Sequence, residues 1–255
     1  MSTILNVPIG CPACGHTYEA AIADSIGANR APWLLDAVLD GSFHRFTCPQ
    51  CAHAIQVEKE ILFTDFVRGH WIGVFPPADE PRYEECGELV TTTFREALLE
   101  KAPPLVTTWA PNLRVRVVFG IPDLREKLIL WHNDLDDRVV EILKLDLLAD
   151  RPELIERGVF ALRVDGVIAE DGALALVSQP FPTTAACPPL AMLVEREAYD
   201  AAARLLPQLE AEHRELFAGP YVSMLRYLPR PETATPAPGT PRTSVERRIW
   251  RASRA

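Results

Sequence analysis

Hydrophobic and polar residues follow two periods along this chain, and together they predict a mixture of short strands and helices. Strands are predicted at residues 4–9 and 18–26, and side chains alternate along the second of them. An apolar run that begins at Pro32 and ends at Gly41 is typical of a short helix. Further strands are predicted at residues 43–47, 54–66 and 70–75, the last two as a hairpin.

Longer helices are predicted in the rest of the chain. Two of them follow a clear strand at residues 113–119: the first at residues 123–132, and the second capped by Asp134 and carrying an apolar stripe. This mixture of strands and helices predicts an α+β fold. The remaining predicted elements are a helix at 89–101, strands at 159–164 and 173–178, and a helix at 195–216 that is interrupted near Pro207.

Two Cys-Pro-X-Cys sequences are the strongest chemical signal in the chain. Cys11 and Cys14 form the first pair, and Cys48 and Cys51 form the second. Two residues between cysteines allow a tight turn to bring both thiolates to one ion, and proline restricts φ in favour of that turn. Tetrahedral Zn²⁺ takes four thiolates at about 2.3 Å. The spacing therefore predicts a structural zinc site with these four cysteines as ligands.

Iron at a four-sulfur site and redox-active thiols are the alternatives to zinc. Two disulfides would need an oxidising compartment, and residues 1–10 lack the basic and apolar regions of a secretory signal. A catalytic zinc is disfavoured, since four cysteines already fill the coordination shell. His16 and His53 follow the two pairs and are interpreted as exposed turn residues or as donors to sulfur, not as ligands.

Composition and charge limit the classes of function. Of the 255 residues, 48% are hydrophobic and 24% are charged, which is typical of a globular protein. No apolar stretch approaches the roughly 20 residues that cross a membrane. Cys86 and Cys187 stand apart from the two pairs, so reduced thiols and a cytoplasmic location are expected.

The net charge of −9 disfavours nucleic acid as a partner, because phosphate contacts need clustered cations. The acidic excess lies in the first 228 residues, whereas the Pro-rich segment at 229–255 is basic and is predicted to be a disordered tail. A nucleic-acid surface on the cysteine-containing region would have to use Arg30, Arg45, Lys59 and Arg68.

Acidic residues around position 135 raise the alternative of an enzyme. Asp136 and Asp137 lie in the first turn of a predicted helix, where carboxylates also complement the helix dipole. His132 precedes them and is the first residue to test if the protein is an enzyme. This alternative predicts that the three side chains meet in a pocket between the cysteine-containing region and residues 113–150, with perturbed pKa values.

The two cysteine motifs, together with the segment FGIPDLREKLILWHNDLDDRVVEILKL and the strand before it, resemble the bacterial CpXC family over residues 4–150. The resemblance implies a zinc-ribbon-like domain of uncharacterised function with Cys11, Cys14, Cys48 and Cys51 as metal ligands. Many relatives have glycine at the position that Ala52 occupies here, after the second pair. The resemblance adds no activity.

Together these observations predict a zinc-ribbon sheet with a helical insertion, followed by a mixed α/β region. Residues 1–150 are expected to form the ribbon domain with its helical hairpin, and residues 151–228 an α+β region packed on it. The leading hypothesis is a structural zinc ribbon that presents a surface to another protein. An enzyme and a nucleic-acid-binding ribbon are the alternatives, and the sequence does not define the oligomeric state.

Overall fold

The computed structural model describes residues 2–156, 159–180 and 190–227, and its combination of helices with mixed sheets confirms the predicted α+β class. The strands are β1 Thr3–Gly10, β2 Thr17–Gly27, β3 Arg45–Thr47, β4 Ala54–Gln56, β5 Ile61–Asp65, β6 His70–Phe75, β7 Arg114–Phe119, β8 Val159–Val167, β9 Leu174–Pro180 and β10 Ala191–Val194. The α-helices are α1 Pro32–Asp40, α2 Tyr83–Arg95, α3 Pro104–Thr107, α4 Ile121–His132, α5 Asp137–Ala149, α6 Pro152–Glu156, α7 Arg196–Arg204, α8 Leu206–Glu212 and α9 Arg214–Phe217.

A five-stranded sheet in the order β1-β2-β5-β6-β7 is the centre of the fold. The β1–β2 and β5–β6 pairs are antiparallel hairpins, whereas β2–β5 and β6–β7 are parallel. All six residues of β6 are buried, because helices cover both faces of the sheet at this strand. The β1–β2 hairpin, in contrast, extends beyond the covered part of the sheet, and every residue of β1 is exposed or half-buried.

Helix α2 packs closely on one face of the sheet, where Gly73 of β6 makes room for it. A Cβ atom at Gly73 would lie 2.2 Å from a methyl carbon of Val90, which is less than any tolerated contact. Val90 is fully buried in a cluster that includes Trp71, Phe75 and Phe119.

The predicted helix at 89–101 is longer in the structure. Helix α2 begins at Tyr83 and continues as a π-helical turn over Glu96–Glu100.

The predicted strand at residues 54–66 is wrong as a single element. Residues of β4 pair with β3 in a separate two-stranded sheet, and β5 begins only at Ile61, where it joins the central sheet beside β2 and β6. Between the two strands the chain leaves the ladder, and the Val57 N–H donates to the carbonyl oxygen of His44 at 2.9 Å. The sequence pattern could not reveal this change of partner, because strand pairing is decided by residues that are distant along the chain.

The predicted cap of the second helix is also wrong. Helix α5 begins after Asp136, whose side chain accepts a hydrogen bond from the Arg138 N–H at 2.9 Å. Asp134 instead has φ of 54° and forms part of the turn between α4 and α5. An aspartate tolerates this left-handed conformation, so the two nearby aspartates divide the turn and the cap between them.

The C-terminal region shares the main hydrophobic core with the preceding residues. Strands β8 and β9 form a three-stranded antiparallel sheet with β10, and β8 packs on α4. Val164 of β8, Leu176 of β9 and Tyr199 of α7 are buried in the same cluster as Leu124 and Leu128 of α4. The predicted basic tail at 229–255 and Cys187 lie outside the described residues.

Candidate metal centre

The first cysteine turn, Cys11–Gly15, lies at the tip of the β1–β2 hairpin. The Cys11 N–H donates to the carbonyl oxygen of His16 at 2.8 Å, and the Gly15 N–H donates to the carbonyl oxygen of Cys11 at 2.9 Å. Gly15 has φ of 73°, in the left-handed region that glycine adopts without strain. The turn therefore returns the chain into β2.

The second cysteine turn, Cys48–Ala52, connects β3 to β4 and has the same backbone hydrogen bonds. The Cys48 N–H donates to His53 O and the Ala52 N–H donates to Cys48 O, both at 2.9 Å. Ala52 has φ of 58°, so the turn keeps its left-handed residue although this residue carries a side chain. A non-glycine residue pays a strain of order 1 kcal/mol in this region.

The two turns face each other and bring the four sulfur atoms together. All four Sγ atoms lie within 4.8 Å of one another. The Cys11 and Cys51 sulfurs are 3.6 Å apart, and those of Cys14 and Cys48 are 3.7 Å apart. A tetrahedron with metal–sulfur bonds of about 2.3 Å has edges of about 3.8 Å, so the donor set has the size that a bound zinc ion requires.

The electrostatics of the sulfurs also fit a cation. Burial opposes ionisation of Cys48, but the N–H groups of Cys51 and Gln50 that donate to its sulfur lower its pKa to about 7. The His53 N–H acts in the same direction on Cys51, yet the neighbouring Cys14 thiol, partial burial and Cys11 raise the pKa of Cys51 to about 12. Four thiolates in contact repel one another, and a central cation would remove that repulsion.

The other candidate thiols and imidazoles lie apart from this cluster. Within the described residues, the only group of metal-ligating side chains that converges is the four cysteines, and neither His16 nor His53 belongs to it. The His16 ring stacks on Tyr18 with centroids 6.1 Å apart. Cys86 lies on the buried face of α2, and burial raises the pKa of its thiol to about 11.

The three candidate catalytic residues do not meet in one pocket. His132 Nδ1 contacts the carbonyl oxygen of Leu128 at 2.6 Å, and Asp136 caps α5 and pairs with Arg138. Asp137 is buried instead, with Arg116 Nε and Nη2 donating to its carboxylate at 2.8 and 3.1 Å. Burial disfavours its charged form, but Lys127 and Arg116 hold the pKa of Asp137 well below its usual range.

Asp137 belongs to a buried ion network that the sequence reasoning missed. The network joins three cations with three carboxylates from β7, α4 and α5: Arg116, Lys127, Lys144, Glu126, Asp137 and Glu141. Lys127 Nζ lies 3.2 Å from both Asp137 and Glu141, and Lys144 Nζ lies 2.7 Å from Glu126 and 3.0 Å from Glu141. A signal in the sequence was the pair of adjacent opposite charges, Glu126-Lys127, directly before the apolar run Leu128–Trp131 of α4.

Backbone groups from the C-terminal region complete this network. The Val164 N–H donates to Glu126 at 2.6 Å, the Met224 N–H donates to Glu141 at 2.8 Å, and Lys127 donates to the carbonyl oxygen of Val222 at 3.0 Å. A cavity of about 30 Å³ lies beside these groups and has room for one or two water molecules. His132, Asp136 and Asp137 are not among the residues that line it.

Of the four basic residues considered for nucleic-acid binding, one is paired with an acid and three are exposed. Lys59 pairs with the buried carboxylate of Asp24, so its charge is neutralised. Arg30, Arg45 and Arg68 are exposed on the loop before α1, on β3 and on the β5–β6 turn. They therefore belong to three separate elements of the chain.

Comparisons with known proteins identify the cysteine-containing region. The CpXC protein family matches residues 9–144, which include both cysteine turns, α4 and most of α5. No curated protein and no solved structure matches the chain. Among the described residues, no helix combines the length and the apolar character that crossing a membrane requires. The family match covers more than half of the sequence, and the chain belongs to the CpXC family.

Proposed function

We propose that this protein is a zinc-binding protein in which Cys11, Cys14, Cys48 and Cys51 hold one structural Zn²⁺ ion. The observation that carries the proposal is the spacing of the sulfurs, 3.6 and 3.7 Å for two of the pairs, beside the roughly 3.8 Å edge of a zinc–thiolate tetrahedron. When bound, zinc supplies four bonds that hold the two cysteine turns together. Reduced cysteines are required, which supports the expected cytoplasmic location.

A structural role follows from the complete donor set. Four thiolates fill a tetrahedral shell, so the ion has no open position for a substrate or an activated water molecule. The ion would instead connect β1–β2 to β3–β4, two hairpins that pair in separate sheets. Without it, the two tips would be held together by noncovalent contacts alone.

We infer that the protein works through contact with another protein, at a surface that includes the turn between β5 and β6. The exposed ring of Trp109 lies 5.8 Å from that of Phe66, and Val67 beside them is 82% exposed. Exposed aromatic and aliphatic side chains in one cluster favour protein contact. A partner captured by the wild-type protein should be lost with Val67→Asp and retained with Leu193→Asp, which alters an exposed apolar residue on β10. Equal binding by both variants would contradict this surface.

The metal assignment is tested by separating burial from ligation. Cys14 is exposed and Cys86 is buried, so a loss of packing would be greater in Cys86→Ser, whereas a loss of metal is expected only in Cys14→Ser. Elemental analysis of purified protein should give one zinc per chain for the wild type and for Cys86→Ser, and much less for Cys14→Ser. Full zinc content in Cys14→Ser, or iron in place of zinc, would overturn the assignment.

A further inference from the structure

The outer strand of the central sheet, β1, has the properties of an interface. It forms the edge of the sheet and pairs with β2 on one side. Residues 3–10 carry no charged side chain, and Ile4 and Leu5 are 44% and 42% exposed. Edge strands are usually protected by charges or by several prolines, because their unpaired backbone groups attract another strand. Here Pro8 and a break in the pairing register with β2 between Thr3 and Ile4 provide some of that protection.

Hydrogen-bond alternation identifies which backbone groups of β1 face outward. The Cys11 N–H donates to the carbonyl oxygen of His16 at the hairpin tip. The backbone N–H and C=O groups of every second residue before Cys11 therefore point toward β2, and those of the residues between them point away from it. The Ala23 N–H independently confirms this alternation: Ala23 lies opposite Ile4 and donates away from β1, to His44 Nε2 at 2.8 Å. The outward-facing residues are thus Ile4, Asn6, Pro8 and Gly10.

We propose that β1 pairs with β1 of a second copy of this chain, antiparallel and with the two-fold axis at Asn6. Asn6 then lies opposite Asn6 of the other copy, and the two residues exchange both of their outward backbone hydrogen bonds. Leu5 lies opposite Val7, and Ile4 lies opposite Pro8, so that apolar residues meet apolar residues. The two central sheets join into one continuous sheet.

Neighbouring registers match the two strands less well. A shift of the axis to Leu5 puts Ile4 opposite the polar amide side chain of Asn6, and a shift to Val7 puts the Asn6 side chain opposite the apolar ring of Pro8. Only the register centred on Asn6 pairs the polar residue with itself. The strand is self-complementary, which favours a second copy over an unrelated peptide.

The charge of the cysteine clusters favours the same arrangement. Four thiolates around one Zn²⁺ leave a net negative charge at each hairpin tip. In the antiparallel dimer, each Cys11 lies five residues from the axis, so the two clusters are about 33 Å apart along the strands, at about 3.3 Å per residue. That distance is several Debye lengths at physiological salt, about 8 Å each. A parallel pairing would place the two negative centres side by side.

Substitutions that place opposite charges at Asn6 in two separate variants test the interface on the full-length, zinc-loaded protein. We expect the wild type to be a dimer at about 100 µM by light scattering coupled to gel filtration, an affinity of the order that a modest interface supplies. Asn6→Asp and Asn6→Lys each place like charges opposite each other and should weaken the dimer at least tenfold. An equimolar mixture of the two variants should recover a heterodimer. Asn6→Pro, which removes an outward N–H, should also be monomeric.

Ala21→Asp is the matched control, because Ala21 lies opposite Asn6 on β2 and is one strand away from the edge. This variant should remain dimeric. Zinc content and melting temperature, measured for every variant, separate loss of the dimer from loss of the metal site or of the fold. A monomeric wild type, a dimer that both Asn6 charges leave intact, or a folded mixture that stays monomeric would each overturn the proposal.

Discussion

Two clusters of ionisable side chains hold distant parts of this protein together, and they do so by opposite means. The four cysteines lie at hairpin tips, and two of them, Cys14 and Cys51, are exposed. The ion network lies inside the fold, where Lys127, Asp137, Glu141 and Lys144 are each at most 3% exposed. Ionised cysteines repel one another, and the proposed metal ion would relieve that repulsion. The network already contains its counterions, three cations and three carboxylates.

The difference concerns what each cluster contributes to the fold. A metal site adds its binding free energy to stability, so its contribution depends on the concentration of the free metal ion. A buried ion network repays the cost of desolvation with its own contacts, and its net gain is small while the cost of breaking it is large. Removing single partners and removing the metal should therefore have distinguishable effects.

The largest effect should come from ending the chain after residue 150. That truncation removes the N–H groups of Val164 and Met224 from Glu126 and Glu141, and it also removes β8 and β9 from the main core. Buried carboxylates without donors are strongly unfavourable. We expect the 1–150 fragment to show no cooperative urea transition by circular dichroism. A cooperative transition close to that of the full chain would mean that the family region folds alone.

Lys127→Met should destabilise the protein by about 3–5 kcal/mol, because it leaves two buried carboxylates, Asp137 and Glu141, without this cation. Lys101→Met is the matched control at an exposed pair with Glu96 and should cost less than about 1 kcal/mol. Urea unfolding at saturating zinc measures both. Equal small losses would show that the network is solvated.

Chelation of zinc should lower stability less than the network variant does. For free zinc 100-fold above its dissociation constant, the loss is about 2.7 kcal/mol. Hydrogen exchange should accelerate at the amides of Gly15 and Ala52 in the two turns, whereas amides of α4 should stay protected. Uniform loss of protection across both regions would contradict the separation of the two clusters.

His70 should make stability depend on pH. Burial lowers its pKa to about 4, and its ring lies 4.4 Å from that of Trp131. The unfolded histidine takes up a proton near pH 6.5, so between pH 6.5 and 4 the unfolded state binds more protons and stability falls as the pH falls. The difference in unfolding free energy between the wild type and His70→Phe should change by about 2 kcal/mol over this window. Parallel pH profiles would refute this role.

The smallest expected effect distinguishes the two aspartates near the start of α5. Asp136→Ala removes the side-chain acceptor of the Arg138 N–H and should cost about 1 kcal/mol. Asp134→Asn keeps a residue that tolerates positive φ and should change stability by less than about 0.5 kcal/mol. Thermal unfolding of both variants provides the comparison. The reverse order of effects would return the cap to Asp134.

The sequence was informative where a structural rule is local. The cysteine spacing pointed to a cluster because each pair fits one turn, and the α+β class followed from short periodic segments. The partner of β4 was missed because strand pairing is decided by distant residues. The ion network was missed for a related reason: Glu126 and Lys127 are adjacent, and only the packing of α4 between β7, α5 and β8 buries both. Which charged residues become buried depends on how the elements pack in the assembled fold.

The shared contacts of Lys127 also constrain how this chain can diverge over time. One ammonium group touches Asp137, Glu141 and the carbonyl oxygen of Val222, which lies almost a hundred positions away in the sequence. A substitution of either acid alone leaves the buried ammonium group of Lys127 without one of its carboxylate partners. We therefore expect substitutions in this network to occur together. Pro12 and Ala13, at the exposed tip of the first hairpin, take no part in these ion-pair contacts. In related sequences, the network positions on the helices should therefore change together, whereas the positions at the hairpin tips should change independently of one another.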